Sequence, residues 1–479
     1  MARKKFLSDV FFVQVVNILI KAIWILVIDR VVQNTLAPQE YGRYFSLLAF
    51  SILFIIVLDL GINSMNSREV AKDKNFFHLQ FRNILISKGF FSVAYLAFLF
   101  LGSLLFGFDL VDLKLLVPLG LMQIAISFNS YLRSNLGAFE KFKMDGLFAV
   151  LDRVFVIVVC GIWLVVPEWK SNLTIESFIL IQLMGVLLST VGLSIVNIRM
   201  NNGPSEKFET SFFRVLLKQT LPFALLAALM SIYTRIDAVM IKNLLGNGDA
   251  DNYAMGYRLL DAANMIAVLL AGILLPMFSA RMNQPNELRS LSTLSARILV
   301  LPAWVLLCIA VMYSEEIMSL LYPIKANIWA MESFAVLMSC FLPISLIYIY
   351  GTLLTAKKTL KFLNILAATC VMINVILNFT LLPDYGILGA AWATLVTQSL
   401  FALGCVFNVH RRLRSLPEIS ELWRWTVFII VIFLFSFPIR QFFDNAAVHI
   451  SSLIIVGVLA AWVLKLLTSD VADILTRKT

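Results

Sequence analysis

The sequence predicts an all-α polytopic membrane protein of about fourteen transmembrane helices, arranged as two parallel six-helix repeats followed by a C-terminal hairpin. Three observations carry that prediction: a composition that water cannot solvate, a ladder of apolar runs with cations on alternate rungs, and a self-similarity a little over two hundred residues apart.

Of 479 residues, 60% are apolar and 14% charged, against roughly 45–50% and about 25% in soluble globular chains. The 38 Phe residues outnumber the 12 Tyr and 9 Trp, a bias toward side chains that face lipid without needing a hydrogen-bond partner. A net charge of +10 would suggest nucleic acid as partner in a soluble protein. Here the cations sit in short loops between apolar runs, so retention on one membrane face accounts for them and no nucleic-acid partner is expected. Cys160, Cys308, Cys340, Cys370 and Cys405 all lie inside apolar runs with no CxxC and no metal-ligand spacing; they read as small buried hydrophobes.

Runs long enough to cross about 30 Å of hydrocarbon lie near 10–32, 42–66, 83–107, 113–133, 146–167, 173–198, 216–241, 251–280, 293–314, 328–355, 362–383, 386–410, 421–440 and 447–467. The basic start (Arg3, Lys4, Lys5) leads into a stretch holding Asp9, Gln14, Asn17 and Lys21 with no small-x-small cleavage site. It reads as a retained first span. With the N-terminus inside, 27 of the 39 Lys and Arg residues fall on the cytoplasmic side, six on the opposite side and six within spans. A bias spread over every loop would collapse if one span were missed or invented, so both termini are expected in the cytoplasm.

IDRVVQNTLAPQEYGRY, beginning at Ile28, matches IDAVMIKNLLGNGDADNYAMGY, beginning at Ile236, and Tyr131 to Pro167 resembles Tyr348 to Pro383. Six spans therefore repeat. This gives an N-lobe over 1–200, a C-lobe over 201–415 and an added hairpin over 416–479. An even number of spans per repeat puts both copies in the same orientation, as in alternating-access transporters.

Ionisable groups inside the membrane must face protein or water. Polar residues fall at helical spacing in several spans: Gln14, Asn17 and Lys21; Asp59, Asn63 and Asn66; Gln123, Ser127, Ser130 and Ser134; Ser231, Thr234 and Arg235; Tyr257, Arg258 and Asp261. An internal polar cavity would explain them together, and contacts between helices would explain them separately. Arg30, Arg43, Lys88 and Lys242, near span ends, are placed to snorkel to the interface. Lys21, Arg153, Arg235 and Arg258 lie deeper. Arg153 has the alternative of a carboxylate partner in its own lobe, and Arg258 of Asp261 at i, i+3.

The stretch LLTAKKTLKFLNILAATCVMINVILNFTLLPDYGILGAAWATLVTQ, Leu353 to Gln398, resembles the late-span signature of the Wzx-type polysaccharide and O-antigen flippases of the multidrug/oligosaccharidyl-lipid/polysaccharide (MOP) superfamily. LAPQEYGRYFSLLAF followed by VLDLGINSMNSREVAK is similar to the same family's first loop and second span, and with YTRIDAVMIKNLLG the resemblance covers spans one to twelve. It implies a V-shaped pair of lobes around a cationic cavity that moves an undecaprenyl-pyrophosphate-linked oligosaccharide from the cytoplasmic to the periplasmic leaflet of the bacterial inner membrane. The partners implied are the lipid-linked oligosaccharide, the bilayer, a polysaccharide polymerase and a chain-length regulator. The extra hairpin departs from the commonest twelve-span layout and also occurs in the lipid II flippase branch. That branch's Asp-Phe signature after the first span is absent, with Tyr41 and Tyr44 standing there instead.

The substrate-binding candidates are therefore Lys21, Arg235, Arg258, Arg153 and Asp261, because Arg binds a diphosphate bidentately. Asp59, Asp237 and Glu332 are candidates for ion coupling. A cation-coupled multidrug antiporter of the same superfamily is the alternative, since its cavity would be lined by carboxylates such as Asp59, Asp152, Asp237, Asp261 and Glu332. A membrane glycosyltransferase or polymerase is the third reading. Against it stand the lack of a long loop and of any Walker A, HExxH or Gly-rich phosphate loop. The one Asp-x-Asp, Asp249 to Asp251, reads as a solvated turn, and neither catalytic residues, metal nor cofactor are expected.

Overall fold

The computed structural model describes residues 16, 17, 19–201, 203, 210–413, 415–439 and 445–466; Gln14 of the first polar stripe lies outside them. Among the described residues every regular element is a helix. Ten helices are long and apolar enough to cross a membrane, and the bent pair Glu40–Leu53 and Ile56–Lys72 makes an eleventh. The helix Leu360–Leu413 holds Gly386 at φ 55°, ψ −144°, a backbone region essentially confined to glycine. It thus covers both the predicted eleventh and twelfth spans. With the helix Ile419–Ile439 and the described part of the first span, the elements are consistent with the predicted fourteen.

Two compact units divide the chain, Met1–Asp251 and Asn252–Thr479. The repeat boundary read from sequence lies near residue 200. The contact boundary lies later because the helix Thr210–Leu244 packs on Glu40–Leu53, with Val239 and Ile241 fully buried. Gly42 makes that region possible: a Cβ there would collide with the main chain of Asn247 and Asp251.

Within each of the two matched segments a helix ends in one kind of turn. Phe139 N–H donates to Asn135, Glu140 to Gly137 and Lys141 to Leu136; in the second copy Lys357 donates to Leu353, Lys358 to Thr355 and Thr359 to Leu354. The residue carrying each turn is left-handed, Glu140 at φ 59° and Lys358 at φ 61°. This is the left-handed ending common to many helices, and the same pattern closes the helices before Gly107 and Lys465.

Burial follows membrane logic. In the first unit Ile62, Met65, Phe77, Phe81, Tyr131, Leu136 and Leu193 form one core. In the second, Leu301, Val305, Ile309, Phe428, Ile432 and Leu453 seat the C-terminal hairpin against the helix Pro285–Met312. Phe98, Phe100, Leu104 and Leu105 on one helix are exposed, as a lipid-facing surface requires. All five cysteines are free and buried, as expected from sequence.

Candidate functional site

The first unit concentrates cations around a distorted first span. Lys21 precedes a π-helical segment, Trp24–Asp29, a widened turn that recurs at functional sites. Arg153, Arg133 and Asp152 lie within electrostatic reach of Lys21. Arg153 Nε is 3.7 Å from Asp152, its guanidinium stands over the Trp24 ring at 5.3 Å, and Trp24 stacks on Phe178 at 5.8 Å. Arg133 Nε meets Asp145 at 2.6 Å. The arrangement is three cations and two carboxylates supplied by the first span and by the helices Leu110–Ala138 and Phe142–Val165. It suits a polyanion that can displace or share the carboxylate contacts.

Of the predicted binding residues, Lys21, itself exposed, and Arg153 lie within electrostatic reach of one another, and Arg153 has a carboxylate neighbour in its own lobe. Arg235 is half-buried on the helix Thr210–Leu244, with Asp237 fully buried two residues on. In the second unit Arg258 Nη1 and Asp261 stand 3.9 Å apart at i, i+3, an open pair by hydrogen-bonding standards. Glu332 is exposed.

Sequence reading misses Arg133 because it stands at the very end of the run 113–133, where a cation reads as a loop residue. The available signal was its place beside Ser130 and Ser134 on the polar face of span four. Much of that face joins helices: Asn66 Nδ2 donates to Ser134 at 2.8 Å and to Asn135 at 2.6 Å, Asn135 donates to Asn197 at 2.9 Å, and Gln123 donates to Ser51 at 3.3 Å. For these residues the helix-contact reading holds.

Three sequence expectations are corrected. Lys88 does not snorkel, being 1% exposed; its ammonium donates to Ser127 Oγ at 2.8 Å and to the Leu58 carbonyl at 3.0 Å, with Asp59 at 3.8 Å. The physical reason is the break in the second span, where Leu60 and Gly61 are left-handed and interrupt the ladder in which a helix satisfies its own carbonyls. Arg43 and Lys242 are held in place by ion pairs, Arg43 with Asp109 at 2.8 Å and Asp112 at 3.0 Å, Lys242 with Asp112 at 2.5 Å. Asp251 is no solvated turn residue: it is buried and its carboxylate accepts from Gln33 Nε2 at 2.7 Å. Nearby in sequence to Gln33, Tyr41 Oη donates to the buried Asp29 at 2.6 Å, a pair that sequence patterning did not single out.

Among the described residues no group of His, Cys, Asp and Glu side chains could hold a metal.

Apolar helices of membrane-crossing length define a polytopic membrane protein, with a cluster of cations among its spans. The chain belongs to the family described as polysaccharide biosynthesis protein, whose pattern matches residues 6–282. Its fold is that of the MOP superfamily. It is similar to the lipid II flippase MurJ in an inward closed conformation (TM-score 0.71, 17% identity, covering 96% of this chain and 97% of that one). It is similar also to an inward-facing multidrug resistance MATE family transporter of the MOP superfamily (TM-score 0.62, 13% identity, 84% of this chain and 97% of that one). A third likeness is to a MOP superfamily transporter from Pyrococcus furiosus described by the reverse polarity of its binding pocket (TM-score 0.56, 13% identity, 84% and 93%). No curated protein matches the chain.

Proposed function

We propose that this protein is a flippase for an undecaprenyl-pyrophosphate-linked oligosaccharide, the repeat unit of an O-antigen, capsule or exopolysaccharide, in the bacterial inner membrane. The single observation that carries the reading is the cationic cluster of Lys21, Arg133 and Arg153 beside the π-helical turn of the first span. A diphosphate cannot enter hydrocarbon unpaired, and two guanidinium forks with an ammonium give it charge-assisted partners inside a membrane domain. Membership of the polysaccharide biosynthesis family supports the same substrate class.

In this proposal Arg235, Arg258 and Asp261 are further head-group contacts, Asp59, Asp237 and Glu332 are coupling candidates, and a polymerase and chain-length regulator take the product. Both termini lie in the cytoplasm, the lobes are 1–200 and 201–415, and the hairpin 416–479 serves the lipid tail. The protein does no covalent chemistry.

The test is a proteoliposome assay that follows a fluorescent lipid-linked oligosaccharide across the bilayer by quenching. The intact chain should translocate it, Lys21→Ala/Arg133→Ala/Arg153→Ala should not, and anionic diphosphate lipids should compete. Competition by organic cations with no effect of lipid diphosphates would replace this reading with the multidrug antiporter, which the likeness to a MATE transporter keeps as second reading.

A further inference from the structure

A separate cavity of about 400 Å³ opens in the second unit where three span ends meet. Its walls come from the first turns of Pro285–Met312, the start of Ile419–Ile439 and the residues after Ala446–Val463. It carries Arg289, Arg297, Arg424 and Lys465 against Glu418 and Glu421. Arg289 pairs with Glu418 at 3.1 Å and Arg297 with Glu421 at 2.7 Å, so those four charges cancel. Arg424 and Lys465 make no ion pair among the described residues and leave the cavity positive.

Two features fix the kind of anion. The apolar contacts of Leu301, Val305, Phe428, Ile432 and Leu453 hold the three helices together below the cavity, so its floor is built. Leu422, Trp423, Trp462 and Val463, next to Arg424 and Lys465 in sequence, are all exposed. Exposed Trp at a span end marks the headgroup level of a bilayer. The opening is therefore in the lipid interface, where a phosphate arrives attached to acyl chains.

We propose that this cavity binds the phosphate of an anionic phospholipid, held by the Arg424 guanidinium and the Lys465 ammonium, and that it is a lipid site apart from the transported substrate. The chemistry is that of basic pockets at span ends which take acidic headgroups. Binding does not depend on the flippase reading, since nothing in the cavity needs transport.

Purified full-length protein in detergent is offered phosphatidylglycerol and phosphatidylcholine, and retained lipid is counted by native mass spectrometry. Phosphatidylglycerol should be retained in preference. Each cation contributes about 5-fold, which is about 1 kcal/mol converted to a ratio, so Arg424→Gln/Lys465→Gln should lower the preference by roughly 25-fold. Glu418→Gln/Glu421→Gln, which frees Arg289 and Arg297, should raise it, and this variant keeps the test decisive if the first does not fold. Unchanged preference in both variants overturns the proposal. So does displacement of the lipid by millimolar inorganic phosphate, which would make the site one for soluble anions, or preferential displacement by undecaprenyl phosphate, which would make it part of the substrate path.

Discussion

The Lys88 ammonium donates at 3.0 Å to the main-chain carbonyl of Leu58, so a side chain from the third span closes the gap left by the break in the second. Lys88→Met keeps the length and removes the donor and charge. It should cost about 1.5–3 kcal/mol, the usual range for a hydrogen bond to a charged group, seen as a lower thermal midpoint in detergent. Asp59→Asn should cost less, because Asp59 stands at 3.8 Å with its side chain a third exposed. Equal midpoints for Lys88→Met and the parent would show that Ser127, which also donates to Leu58 at 3.0 Å, suffices alone.

Gly42→Ala forces a methyl into the main chain of Asn247 and Asp251. Overpacking of this kind costs about 1–3 kcal/mol, and backbone cannot give way as a side chain can. Gly161→Ala, where nothing lies within 4 Å, should instead stabilise its helix by about 0.5–1 kcal/mol. Thermal unfolding of the two variants side by side checks both signs.

Asp109 caps the helix Leu110–Ala138, accepting from Asp112 N–H at 2.6 Å, and that backbone bond together with Arg43 holds its carboxyl below the usual carboxylate range. A lowered folded value means the contribution is present above the unfolded carboxylate range, near pH 4, and is lost as pH falls through the folded value. Asp109→Ala should cost about 1 kcal/mol at neutral pH. The difference from the parent should shrink on acidification below about pH 4. A gap that widens there would contradict the assignment.

On the proposed function, Arg258→Ala should reduce oligosaccharide export by roughly ten- to a hundredfold, the equivalent of about 1.5–3 kcal/mol. Arg258→Lys, which keeps charge but loses the fork, should fall between. If Asp261→Ala restores export in the Arg258→Ala background, the 3.9 Å pair is structural and Arg258 does not touch substrate.

The buried native cysteines give a low background for labelling, so exposed positions report orientation. In intact cells Lys170→Cys should react with an impermeant maleimide and Lys358→Cys should not, until the membrane is opened. The reverse pattern would invert the topology drawn from the charge bias.

What was legible in the sequence is what depends on local pattern. Apolar runs gave the spans, because a run of membrane-crossing length is a property of the chain alone. Asn66, Ser134 and Gln123 do lie on contact-making faces, but a face does not say what lies opposite. Asn66 and Asn135 join helices, whereas Arg133 joins a charge cluster, though they lie on neighbouring stripes. Lys88 looked like a span-end lysine because the break at Leu60 and Gly61 is hidden in an ordinary apolar run. Asp251 looked solvated because its partner Gln33 is 218 residues away.

Gly386 turns the chain between two spans within a single residue. A loop would act as a rope, letting each rod tilt while the other stays still. A one-residue elbow acts as a pivot shared by both, so rotation of the eleventh span about that point carries the near end of the twelfth with it. Slack inserted there, as three or four flexible residues, would uncouple the rods while leaving every contact along their lengths intact.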